Sequence, residues 1–328
     1  MKALHLLPPG GTTWGGGIPA TLFSLAESPQ LQWVSFRQVP LEFAVETLRS
    51  WRPDVVIWHP ACSWRGLPDQ LRLNGIPSVL VEHHYCQGFE TYQVPNRLRF
   101  RMMLRLGYSL FDRVVSVSYG QARWMMDSKL LRASRLRVIP FSRTLDEFLA
   151  LPIGRSPHTP LRLGAFGRFV KQKGFDTLIK AVQLLPLGSV QLLLGGDGVL
   201  DSELRSLAAG HPAITFLGPI TNVPAFLHDC DAMAIPSLWE PWGNVCLEVR
   251  AAGLPVIVST VGGLSEQIEG CGFAVPPASA TELAAAIQQL IALSADDRSR
   301  LADRARASSL NSWDQFCRSW DSLLRELA

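Results

Sequence analysis

The sequence predicts an α/β chain of two doubly wound, parallel-sheet (Rossmann-like) domains facing a cleft. Three observations carry this prediction. The 328 residues exceed what one hydrophobic core commonly supports. Apolar residues make up 47% and charged residues 18% of the chain, which excludes disorder and leaves material for two cores. Short apolar runs alternate with helix-period segments, and the alternation restarts after a stretch rich in proline.

In chain order, the first series of strands is predicted at Lys2–Leu7, Gln32–Phe36, Asp54–His59, Pro77–His83, Asp112–Ser118 and Leu136–Phe141. Helical patterns fall between most of them, notably Leu41–Ser50 and Ala122–Leu131. Residues 151–160, LPIGRSPHTP, carry three prolines and a glycine and read as a linker, so the domains are placed at 1–155 and 156–311. The second series comprises Leu161–Gly167, Val190–Gly195, Ala213–Gly218, Ala232–Ser237, Pro255–Ser259 and Gly272–Val275. Ser312–Leu327 reads as a final helix. Strands separated by helices imply parallel sheets, whose ligands bind beyond the carboxyl ends of the strands.

The stretch from Ala3 to Ala26 lacks Asp, Glu, Lys and Arg, yet Pro8, Pro9, Pro19 and five glycines prevent it from forming one apolar membrane helix. Its first apolar run, Ala3 to Leu7, is too short for the core of an export signal, so a cytoplasmic address is expected. Six scattered cysteines form no C-x-x-C pair; reduced thiols are expected and no metal site is indicated. The net charge of +3 hides an asymmetry: residues 1–155 hold 18 Lys and Arg against 11 Asp and Glu, and the remainder hold 13 against 17. In the segment PNRLRFRMMLRLGYSLFDR, Arg97, Arg99, Arg101 and Arg105 alternate with apolar residues. Two readings stay open: a basic surface at the inner membrane face or for an anionic acceptor, or an ordinary helix with solvated arginines.

The most informative stretch is PSLWEPWGNVCLEVRAAGLPVIVSTVGGLSE, residues 236–266. Glu240 follows an apolar strand and opens a turn with Pro241 and Gly243, and Glu248 lies in the helix beyond. Carboxylates in an apolar segment need donors to offset lost hydration, which a hydroxyl-rich ligand supplies. The helix start at Gly243, Asn244 and Val245 offers backbone N–H groups and partial positive charge to a phosphate. The E-x7-E spacing, the small residues Ala251, Ala252 and Gly253, and the Gly262, Gly263, Glu266 group resemble the retaining nucleotide-sugar glycosyltransferases of family four, with the GT-B fold.

Further segments fit that resemblance. In GAFGRFVKQKG, Arg168 and Lys173 match the family's G-R-x-x-x-x-K-G element, and together offer a planar fork of donors and a compact charge to a diphosphate. In PPGGTTWGGGIPA, Gly15, Gly16 and Gly17 permit close backbone approach to a ligand; a flexible surface turn is the other reading. His83, ending a predicted strand, matches a family histidine that faces the transferred sugar, while His59 and His84 read as structural. The segment ITFLGPI, with Gly218, matches a region whose backbone meets the nucleotide base. One departure is that Phe141 and Ser142 stand where the family often has Asn-Gly.

The resemblance implies a metal-independent transferase, without cofactor, that moves a sugar from a UDP-, GDP- or ADP-sugar to a hydroxyl acceptor, saccharide or lipid-linked, with no nucleic-acid partner. It also implies that helix 312–328 returns to the first domain. Arg168, Lys173, Glu240 and His83 are the implied catalytic residues, with Glu248 on the ribose hydroxyls. A GT-B epimerase or phosphorylase and a noncatalytic sugar-nucleotide-binding subunit are the competing readings.

Overall fold

A computed structural model describes residues 1–9, 18–67, 69, 75–154 and 156–328. Among them, twelve strands form two six-stranded sheets, in which every strand pairing is parallel. One compact unit comprises Met1–Thr144 with Ser312–Ala328, and the other Leu145–Asn311.

The first unit contains β1 (Lys2–Leu7), β2 (Ser35–Pro40), β3 (Val55–Trp58), β4 (Ser78–Glu82), β5 (Arg113–Ser116) and β6 (Leu136–Val138). Their order, β2-β1-β3-β4-β5-β6, reverses the direction of winding between β1 and β3. The central strands β3 and β4, VVIW and SVLVE, are buried at every position, as strands covered on both faces require. Helix Ser312–Leu327 packs onto this unit through Phe316, Trp320, Leu323 and Leu324. Polar bonds seat it further: Trp33 Nε1 donates to Asp321 at 2.7 Å, and Gln30 Nε2 to Asp314 at 2.7 Å.

The second unit contains β7 (Leu161–Phe166), β8 (Val190–Gly195), β9 (Ile214–Gly218), β10 (Ala232–Ile235), β11 (Val256–Ser259) and β12 (Gly272–Val275). Their order is β12-β11-β10-β7-β8-β9, so winding reverses between β7 and β10. Two apolar clusters cover the sheet. One centres on Leu178, Leu192 and Ile287, the other on Phe148, Leu227 and Val249.

Several boundaries differ from expectation. The apolar run at residues 31–36 is not the strand: Leu31 and Val34 are buried in a turn, and the strand begins at Ser35. This strand lies at a sheet edge, where it is only partly buried and its sequence needs no apolar run. The units divide after Thr144 rather than after residue 155, because Leu145 and Phe148 are already buried in the second unit's core. The helix expected at Ala122–Leu131 runs from Tyr119 to Asp127, started by the Ser118 hydroxyl, which accepts from the Gln121 amide.

Candidate functional site

The reversal of winding between β7 and β10 opens a crevice at the carboxyl ends of those strands, where open α/β sheets hold ligands. Both charged motifs emerge there. After β7, Gly167 leads into Arg168 and a short 3-10 turn that carries Lys173. After β10, the chain passes through Trp239 and Glu240 to the Asn244–Ala251 helix. Lys173 Nζ donates to Glu240 Oε2 at 2.6 Å, with side-chain exposures of 19% and 12%. Partial burial weakens solvent screening of this pair. Arg168 is exposed and has no ion-pair partner among the described residues.

The helix start supplies the second component. Gly243 sits at the N-cap with φ 96°, and a Cβ there would lie 2.5 Å from Leu264 Cδ2. The Cys246 amide turns back onto the Gly243 carbonyl at 3.0 Å. Asn244 and Val245, the first two helical residues, have amides with no intrahelical acceptor. These amides and Lys173 are a cationic and N–H-rich environment suited to phosphate oxygens. Glu248, one turn on, is buried. Burial pushes the Cys246 thiol up to about 12, so this cysteine is no nucleophile at neutral pH.

Three polar residues that the motifs did not reveal hold this turn. Gln172 Nε2 donates to the Trp239 carbonyl at 3.0 Å, and the Leu238 amide donates to the Gln172 carbonyl at 2.8 Å. From the other side, Gln267 Nε2 donates to the Trp242 carbonyl at 2.7 Å. Arg250, buried, donates to the Ser308 carbonyl at 2.8 Å and reaches Gln267 Oε1 at 3.5 Å. No motif marks any of them; Arg250 differs from its neighbours in VCLEVRAAG only as a polar residue in an apolar helix, and Gln172 sits between two lysines in the turn.

Close backbone packing completes the frame. Gly174 has φ 63°, and a Cβ there would stand 2.2 Å from the Pro236 carbonyl oxygen. Gly174→Ala is therefore expected to combine left-handed strain with overpacking and to destabilise the fold by about 2–4 kcal/mol, measured by urea unfolding. An unchanged midpoint would show that the two loops separate freely. Gly218, at the end of β9, accepts from the Gly196 amide at 2.7 Å and so ties the LLLGGDG turn to its neighbour.

The structure thus brings Arg168, Lys173, Glu240, Gly243, Asn244, Val245 and Glu248 to one crevice of the second unit. Gly15, Gly16 and Gly17 lie outside the described residues. His83 belongs to the first unit, directly after β4 and half-buried. His59 Nδ1 and His83 Nε2 are 3.0 Å apart, and burial, the largest cause, holds His83 down to about 3. Glu82 beside it is buried and accepts from the His84 and Tyr85 amides and from the Tyr108 hydroxyl.

Two doubly wound parallel sheets, one carrying a cation and carboxylate pair at its switch point, define a chain of the GT-B class. Residues 160–293 match the model "Glycosyl transferases group 1", and residues 19–141 match the model "Glycosyltransferase Family 4". The chain belongs to this glycosyltransferase family.

Among curated relatives, the glycogen synthase of Mycobacterium tuberculosis is 28% identical over 278 residues, which covers 80% of this chain and 65% of that protein. The chain therefore spans less than two thirds of that relative's length. The solved sucrose-phosphate synthase of Thermosynechococcus elongatus aligns with a TM-score of 0.80 at 21% identity, covering 100% of this chain and 99% of that one. HepE of Anabaena, solved with UDP and glucose, aligns with a TM-score of 0.77 at 20% identity and 99% coverage of both chains.

Proposed function

We propose that this protein is a retaining, metal-independent glycosyltransferase that moves a sugar from a nucleoside-diphosphate sugar to a hydroxyl acceptor. The observation that carries this reading is the 2.6 Å Lys173–Glu240 pair beside the open amides of Asn244 and Val245. As the glycosidic bond breaks, negative charge grows on the leaving diphosphate. Lys173, Arg168 and the helix-terminal amides stabilise that charge where it develops. Glu240, oriented by Lys173, accepts from sugar hydroxyls. Glu248 accepts from the ribose hydroxyls and Gly218 lies toward the base, while the roles of Gly15, Gly16 and Gly17 and of His83 are those that the family resemblance implies. The complex of HepE with UDP and glucose supports a UDP-sugar among the UDP-, GDP- and ADP-linked donors.

Incubation with a panel of UDP-, GDP- and ADP-sugars tests the reading, with thermal stabilisation and slow donor hydrolysis as readouts; failure of all three classes to bind would sink it. Activity is expected to survive saturating EDTA, since fixed cations take the place of a divalent ion at the diphosphate. Complete loss restored by added metal would overturn that mechanism.

The acceptor side of the proposal includes a peripheral contact with anionic lipid at the cytoplasmic membrane face. Among the described residues no helix is long and apolar enough to cross a membrane. Helix Arg97–Ser109 instead exposes Leu98, Met102 and Leu106, spaced four apart, with Arg97 and Arg99 exposed beside them. Arg101 is not part of this basic face: it turns inward to an ion pair with Glu90 at 2.5 Å. Replacing Arg97 and Arg99 with Gln is expected to weaken binding to phosphatidylserine vesicles, read by sedimentation, by roughly 30-fold at low salt, at about 1 kcal/mol per residue. Donor hydrolysis should stay unchanged. Equal sedimentation would remove the membrane from the proposal.

A further inference from the structure

Three imidazoles form one continuous line in the first unit. His5 lies within β1, His59 directly follows β3, and His83 directly follows β4, so the parallel register of three adjacent strands stacks their rings. His5 Nδ1 and His59 Nε2 are 2.8 Å apart, and His59 Nδ1 and His83 Nε2 are 3.0 Å apart. Ring centroids are separated by 5.1 and 5.3 Å, with the planes tilted by 22° and 19°. At the inner end His5 is 1% exposed, beside Phe36 and Trp320, and its Nε2 has no hydrogen-bond partner among the described residues. Burial is the main cause that lowers all three pKa values, with His5 and His83 held near 3, so the line is neutral at pH 7.

A neutral imidazole donates from one nitrogen and accepts at the other, so a line of three has two internally consistent directions. In one, every ring is protonated at Nε2, and a buried N–H of His5 is left without an acceptor. In the other, every ring is protonated at Nδ1, and only a bare lone pair of His5 faces the apolar rings. Orphaned buried N–H groups are the rarer event. That selects the second direction.

We propose that His5 and His59 are positioning residues that fix His83 as its Nδ1–H tautomer, so that its outward nitrogen is a neutral hydrogen-bond donor to a sugar hydroxyl. The donor role rests on the reading of His83 given above; the tautomer does not. His5 Nδ1–H donates to His59 Nε2, and His59 Nδ1–H donates to His83 Nε2. The identity of a side chain in β1, two strands away, thereby sets which end of His83 can donate.

The test uses the full chain, labelled with ¹⁵N, in long-range ¹H–¹⁵N imidazole correlation spectra at pH 7, with His83→Phe to assign the signal. The wild type is expected to show His83 protonated at Nδ1. His5→Leu should convert His83 partly to the Nε2–H form and slow turnover of UDP-glucose at least tenfold, with KM little changed. His5→Asn, whose amide nitrogen takes the place of Nδ1, should restore both. Protonation of wild-type His83 at Nε2 overturns the proposal, even if His5→Leu fails to fold. So does a wild-type tautomer in folded His5→Leu. An Nδ1–H tautomer combined with unchanged turnover in His83→Phe overturns the sugar-facing role of His83 and leaves the relay standing.

Discussion

Lys173→Ala is expected to lower turnover at saturating donor by roughly 10²-fold or more while the fold is kept, and Arg168→Ala by a comparable factor. The two cations act differently. Lys173 is held in place by Glu240 at 2.6 Å, so its charge is directed before any ligand binds, whereas Arg168 is exposed. Removing Lys173 also leaves the partly buried Glu240 carboxylate without its cation, a cost that Glu240→Gln removes. The double variant Lys173→Ala with Glu240→Gln should therefore fall short of the summed single effects, as expected for residues that act as one unit. Circular dichroism and donor-saturated rates on all four proteins check this. Wild-type turnover in Lys173→Ala would end its assigned role.

Glu248→Gln should weaken binding of the bare nucleoside diphosphate by about tenfold or more, because a carboxylate accepting from two ribose hydroxyls makes charge-assisted bonds with substrate and product alike. Glu240→Gln should spare the bare nucleotide and impair the sugar-dependent step. Positions in the second unit motivate the distinction. Glu240 lies in the turn after β10, and Glu248 is buried one helical turn beyond the start of the Asn244–Ala251 helix. Calorimetry with the nucleotide and with the nucleotide sugar separates the two. Equal losses of both ligands in both variants would contradict the division of labour.

The β1 and C-terminal helix boundaries, Lys2–Leu7 and Ser312–Leu327, were legible because a strand buried beyond its first residue writes an apolar run, and an amphipathic helix its period, directly into the sequence. The edge strand β2 was displaced in the reading because its partial burial demands no apolar run, while the apolar residues before it fill a turn. Glu240 and Lys173 could each be picked out from their own loop. Their 2.6 Å contact could not, since it depends on β7 and β10 being neighbours although 67 residues separate the two side chains. Gln172, Gln267 and Arg250 were invisible for the same reason: a polar side chain bracing a distant carbonyl leaves no periodic trace. The alignment of His5, His59 and His83 likewise follows from strand register, which one sequence does not encode locally.

The attachment of helix Ser312–Leu327 to the first unit has a consequence for biosynthesis. The second unit is one uninterrupted segment, Leu145–Asn311, whereas the first needs residues from both ends of the described chain. On the ribosome, the strands of the first unit emerge long before Trp320 and Leu324, which are 2% and 0% exposed once seated, so the first unit's core waits while the whole second unit is made. During that interval the nascent first unit bares the apolar patch that this helix will cover, which makes it the part of the newborn chain most in need of chaperone protection.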